Sequence, residues 1–238
     1  MHDDAAPQRN TKAEVTPLGD AAVVVQLGDR IDFETHLAVR SLAEVLEEHP
    51  PQGTVECTSA FTTLTLFYDP MRTSFEEIRA ALERIVSTLD VSSEMPYRPV
   101  EIPVCYGGEF GPDLKFVAEH CRLSPEEVVE IHASGEYRTY MIGFAPGFPY
   151  LGGMSQRIET PRRPSPRLRV PAGSVGIAGL QTGVYPIETP GGWQIIGRTP
   201  LALFRPAENP PSLLRVGDVV RFRLIDREQF DAWREADR

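Results

Sequence analysis

The chain has 238 residues, 41% of them hydrophobic and 24% charged, which suits one or two soluble globular domains with a substantial core. Its 24 basic and 34 acidic residues leave a net charge of −10, a balance that argues against general nucleic-acid binding. No apolar run approaches the ~18 to 20 residues of a membrane span, so no membrane partner is expected.

The polar start, MHDDAAPQRNTKAE, lacks the apolar segment of a secretion signal and reads as a disordered tail over residues 1–13 of a cytoplasmic protein. AAVVVQL, residues 21–27, is a β-branched run between Gly19-Asp20 and Gly28-Asp29, as expected of a buried strand. A helix follows, with Asp32 as N-cap, Phe33, Leu37, Leu42, Val45 and Leu46 on one face, and Pro50-Pro51 as the stop. TVECTSAFTTLTLFYD alternates at Leu64, Leu66 and Tyr68 and predicts one or two strands. The clearest helix is TSFEEIRAALERIVSTLD, where Ser74 and Glu77 form a capping box. This order predicts a small two-layer α+β domain over residues 14–92.

SSEMPYRPVEIPV reads as a proline-containing break, with a boundary near residues 92–98 and a second domain over 98–238. Two short helices come next, GPDLKFVAEHCRL and SPEEVVEIHASG; in the second, Ser124 caps, Pro125 takes the first helical position, Glu127 completes the box and Gly135 stops the helix. Residues 141–211 then hold 12 of the 22 prolines and 11 of the 19 glycines, which rules out long helices. The short apolar pieces VGIAGL, GVYPI, GWQIIG, PLALF and DVVRFRLID predict a compact, looped β-barrel or sandwich. REQFDAWREADR suits a short helix or a loose tail.

Cys57, Cys105 and Cys121 are odd in number and widely spaced, so neither a disulfide framework nor a zinc site is expected. P-loop, dinucleotide-binding, H-x-x-x-H and G-x-S-x-G patterns are all absent, which argues against a self-contained ATPase, dehydrogenase, zinc hydrolase or esterase. Two stretches stand out. In MIGFAPGFPYLGG, Phe144, Phe148 and Tyr150 either plug a core or wall a pocket for a small ring. In residues 169–200, seven glycines are interleaved with Ser174, Gln181, Thr182, Tyr185 and Trp193; glycine turns there either bare amides for an anion or mark barrel corners. RIETPRRPSPRLR carries Arg157, Arg162, Arg163, Arg167 and Arg169 against a single Glu159; the cluster could steer a carboxylate or phosphate, or simply meet solvent or a partner's acidic face. His132, late in its helix, is a candidate acid, base or anion contact if the helix end favours its charged form, and otherwise a packing or surface residue.

YMIGFAPGFPYLGG and TPRRPSPRLRVPAGSVGIAGLQTGVYPIETPGGWQIIGRTPL closely resemble the bacterial family that includes the 5-oxoprolinase B subunit and the sporulation kinase inhibitor, long labelled allophanate hydrolase subunit 1 and related to a carboxyltransferase-like module of urea amidolyase. The resemblance implies an α+β chain with an N-terminal ferredoxin-like α/β sandwich and a C-terminal cyclophilin-like β-barrel. It implies subunits A and C as partners in ATP-dependent hydrolysis of 5-oxo-L-proline to L-glutamate; the missing P-loop makes this chain a poor holder of ATP unaided, so its site is expected on a partner, and no metal is evident in this chain. On that reading His132, Arg167 and Gln181 are the catalytic candidates. Phe144, Phe148, Tyr150, Arg162, Ser174, Thr182, Tyr185, Gly191, Gly192 and Trp193 are the substrate-binding candidates. Two alternatives go with the family: inhibition of a sensor histidine kinase, and a role in a urea or allophanate pathway.

Overall fold

The structure, a computed structural model, describes residues 13–91 and 97–236. The tail expected over residues 1–13 lies outside the described residues except for Ala13, as does most of the expected boundary. The chain divides into two compact units, Met1–Met95 and Pro96–Arg238.

The first unit contains β1 (Glu14–Pro17), β2 (Ala22–Gln26), α1 (Phe33–Glu48), β3 (Thr54–Ser59), β4 (Thr63–Tyr68) and α2 (Phe75–Ser87). Its sheet has the order β1-β2-β4-β3 and every pairing is antiparallel. Both helix starts follow from side-chain chemistry. Asp32 accepts from the Thr35 amide at 2.8 Å, and Ser74 and Glu77 close a reciprocal box with bonds of 2.8 and 3.3 Å. Val23, Val25, Leu64 and Leu66 from the sheet meet Leu42, Leu46, Ile78 and Leu82 from the helices in one buried cluster. β1 was not expected from the sequence; Pro17 and three exposed positions give it the look of a loop, and it holds as an edge strand.

The second unit contains β5 (Pro99–Tyr106), α3 (Leu114–Cys121), α4 (Pro125–Ala133), β6 (Glu136–Ile142), β7 (Pro149–Gly152), β8 (Arg167–Val170), β9 (Ser174–Ala178), β10 (Gln181–Val184), β11 (Thr189–Gly191), β12 (Gln194–Arg198), β13 (Val219–Leu224) and α5 (Arg227–Ala236). Seven strands close into a barrel in the order β10-β7-β6-β13-β5-β12-β9, while β8 and β11 pair as a separate ribbon. The proline-containing break is shorter than expected, because EIPV belongs to β5. Along residues 99–104 that strand pairs with β13, in parallel, and β12 joins only at Cys105 and Tyr106. Pro103, which has no amide proton, thus sits where β12 asks nothing of it.

α4 stops at Gly135 as expected, with Ser134 at the capping position before it. A Cβ on Gly135 would lie 2.6 Å from the Tyr137 ring, so the glycine makes room for packing. Ile102, Val104, Val128, Leu151, Val175, Ile177, Val184, Ile196 and Val220 fill the barrel. The three cysteines are free thiols, and no helix among the described residues is long and apolar enough to cross a membrane.

Candidate functional site

The β6–β7 hairpin turns through residues 143–148, closed by a bond from the Gly143 amide to the Phe148 carbonyl at 3.0 Å. The turn sends its aromatics to opposite fates. Phe148 is 1% exposed, whereas Phe144 is 64% exposed and sits at φ 70°, a left-handed conformation in which a bulky residue is strained. The stretch therefore contributes one ring to a buried aromatic cluster and leaves another exposed.

Phe148 is the hub of a floor of edge-to-face rings, 5.1 Å from Tyr185 and 5.4 Å from Trp193, with Tyr150 at 5.0 Å and Phe144 at 5.5 Å. Above it opens a cavity of about 290 Å³. Pro190, Gly191 and Gly192 at β11 form one rim, and Arg162, Arg163 and Pro166 from the loop before β8 form another.

Two glycines shape this floor. A Cβ on Gly183 would meet the Pro149 carbonyl at 2.7 Å, the Trp193 ring at 3.0 Å and the Phe148 ring at 3.1 Å; one on Gly191 would lie 2.4 Å from the Tyr185 hydroxyl. Gly183→Ala is accordingly expected to cost about 1–3 kcal/mol by overpacking, read as a lower urea midpoint at unchanged slope.

The arginines separate into two kinds. Asp113, 4% exposed at the start of α3, receives Arg167 through two bonds of 2.7 and 2.8 Å and Arg163 at 3.0 Å. The same carboxylate accepts from the Ile195 amide at 2.7 Å. Arg163 and Arg167 are thus held as structural guanidiniums, with charge offset by a buried carboxylate. Arg162 is exposed, lines the cavity and makes no ion pair among the described residues. Burial pushes the Tyr185 phenol up, against the pull of the Trp193 amide and Arg162; burial likewise raises Tyr150, again opposed by Arg162. Both phenols remain proton donors at neutral pH.

Sequence expectations divide along the same line. Phe144, Phe148, Tyr150, Arg162, Tyr185, Gly191, Gly192 and Trp193 converge on the cavity. His132, Arg167, Gln181, Ser174 and Thr182 are not among the residues that line it. Ser174 is 2% exposed on β9, and the Gln181 amide nitrogen is buried without a partner among the described residues.

The expectation that the helix end keeps His132 charged is corrected. His132 is fully buried, stacked 4.6 Å from Phe222, and burial drives its pKa down to about 3. The tautomer follows from its neighbours. The Thr182 hydroxyl donates to the Gly176 carbonyl at 2.9 Å, so it accepts from His132 Nε2 at 2.9 Å; Nδ1 then accepts from the Tyr106 hydroxyl at 2.8 Å. A neutral imidazole locked between two partners inside the barrel is a structural strut.

Asp113 and Pro166 were missed. Asp113 stands where a helix cap is ordinary, and only the absence of a capping bond from its side chain shows that it works elsewhere. No group of His, Cys, Asp or Glu that could hold a metal ion occurs among the described residues.

Comparison with known proteins gives the geometry a context. The carboxyltransferase domain family, subdomain C and D, matches residues 13–214. The B subunit of 5-oxoprolinase from Bacillus subtilis (strain 168) is 53% identical over 232 residues, covering 93% of this chain and 97% of that protein. The crystal structure of TTHA0988 superposes with a TM-score of 0.76 at 40% identity, over 86% of this chain but 40% of that one. The urea amidolyase of K. lactis shares the fold, with a TM-score of 0.78 at 19% identity over 92% of this chain and 15% of that one.

Proposed function

The chain belongs to the carboxyltransferase domain family, subdomain C and D, and from that premise we propose that it is the B subunit of an ATP-dependent 5-oxoprolinase, which opens 5-oxo-L-proline to L-glutamate. One observation carries the reading: an aromatic-floored cavity of about 290 Å³ faces a guanidinium that has no acidic partner among the described residues. A five-membered lactam bearing a carboxylate has the matching parts, a flat ring for the Phe148, Tyr185 and Trp193 edges and an anion for Arg162.

The chain's own contribution is binding and orientation. Arg162 holds the carboxylate, and the Tyr150 and Tyr185 hydroxyls are protonated donors for the ring's oxygen. Hydrolysis of ATP, held by a partner protein, supplies the driving force for cleaving a stable amide. Subunits A and C are the partners in this reading. Support for a joint assembly comes from TTHA0988 and urea amidolyase, in which the same unit is part of a much longer chain. The cytoplasm is the expected compartment.

The two domains follow the same reading. Residues 14–92 form a ferredoxin-like sandwich whose edge strand is supplied by β1 ahead of the first core strand, in keeping with the order β1-β2-β4-β3. Residues 98–238 form the cyclophilin-like barrel.

With subunits A and C present, Arg162→Ala is expected to lower kcat/KM for 5-oxoproline by about 10- to 100-fold, the effect of losing one charge-assisted contact, while the melting temperature stays in place. Wild-type turnover by that variant would remove Arg162 from the site.

A further inference from the structure

A second cavity, of about 170 Å³, lies in the same unit and shares no lining residue with the aromatic pocket. Gly173, Pro186, Arg198, Thr199, Phe230 and Arg234 are among its walls. Arg198, on β12, is half-buried and is aimed by one bond, from its Nε to the Ala172 carbonyl at 2.8 Å. It has no ion pair among the described residues. Arg234, in the last turn of α5, stands close enough to repel it: burial first, and then Arg234, draw the Arg198 guanidinium down from its ordinary value. The nearby Glu109 pulls the other way, but it is already engaged by Arg227.

Two like charges on residues that line one cavity are unfavourable by themselves, the more so where one is partly desolvated. A third feature makes the arrangement specific. Thr199 is 2% exposed; its hydroxyl oxygen accepts from the Leu201 amide at 3.2 Å, and its proton has no acceptor among the described residues. Two arginines and the buried Thr199 are therefore lining residues of one cavity, in a protein whose net charge is −10. At 170 Å³ the space falls below the ~300–1,000 Å³ typical of pockets for drug-sized ligands.

We propose that this cavity is a binding site for a small tetrahedral oxyanion of phosphate size, held by Arg198, Arg234 and Thr199. The anion offsets the repulsion between the arginines and takes the hydroxyl proton. Because α5 carries Arg234 and β12 carries Arg198, occupancy ties the C-terminal helix to the barrel wall.

The test is calorimetric titration of inorganic phosphate into the full chain, at fixed ionic strength set with chloride. Saturable binding is expected, tighter for phosphate than for acetate. Arg234→Ala changes an exposed side chain on a helix surface; it should leave the fold intact and weaken phosphate binding about tenfold or more. Arg198→Lys keeps the charge without the fixed fork and should also weaken it, whereas Arg162→Ala should not. The proposal is overturned if phosphate gives no saturable heat, if acetate and chloride produce the same response, or if Arg162→Ala abolishes binding while Arg234→Ala preserves it. None of these outcomes depends on turnover of 5-oxoproline, so the aromatic pocket's assignment stands or falls separately.

Discussion

Asp113→Ala is expected to destabilise the barrel unit by about 2–4 kcal/mol and to spoil the aromatic pocket in the same step. The carboxylate is buried and joins three partners from distant parts of the chain: Arg163, Arg167 and the Ile195 amide. Removing it leaves the Ile195 amide buried without an acceptor, and it releases two guanidiniums whose side chains are only 34% and 26% exposed. The expected cost sits below that of breaking a fully buried pair because both arginines can turn partly to water. Urea unfolding measures the stability. Loss of substrate affinity by the reconstituted complex measures the second effect, since Arg163 and Pro166 line the cavity on the loop that carries Arg162. Asp113→Asn keeps the shape and an acceptor for the amide, so it should cost less than alanine. Equal stability of wild type and Asp113→Ala would show that the carboxylate does not organise the rim.

Acid should weaken the second unit through His132. Its pKa is about 3 in the folded protein against about 6.5 when unfolded, so the folded state resists the proton that the unfolded chain accepts. The histidine's contribution is therefore complete above pH 6.5 and is lost as pH falls from there toward 3. The loss is about 2 kcal/mol by pH 5 and about 4 kcal/mol by pH 3. His132→Gln, which removes the titrating group while retaining polar atoms near Thr182 and Tyr106, should be less stable at pH 7 yet show a flatter profile between pH 7 and 5. An unchanged slope in that variant would mean that other groups govern the acid response.

Much of the fold could be read from local pattern. Asp32, the Ser74–Glu77 box and the Ser124–Glu127 box start helices where the sequence places them, because a cap is made by residues three positions apart. The proline and glycine density of residues 141–211 announces short strands for an equally local reason. What escaped is set by contacts across the chain. β5 carries prolines and is a strand because β13, more than a hundred residues later, pairs with it. His132 looks like a helix-end base until Tyr106, Thr182 and Phe222 enclose it. The cavity residues were partly legible: the aromatic and Gly191-Gly192 positions were found, while the difference between Arg162 and its neighbours needed Asp113, fifty positions away from Arg163.

The parallel β5–β13 pair also dictates an order of events. Val219–Leu224 is the strand that joins Pro99–Tyr106 to Glu136–Ile142, so until it has emerged the cylinder has an open seam on both sides. Arg98 and Asp218, 120 positions apart, latch the same seam. During synthesis the helices α3 and α4 can form early, but the wall they cover is finished only when β13 arrives, and closing so long a loop is slow. A nascent chain halted before that strand exposes two hydrogen-bonding edges at once, the condition under which β proteins pair with the wrong neighbour.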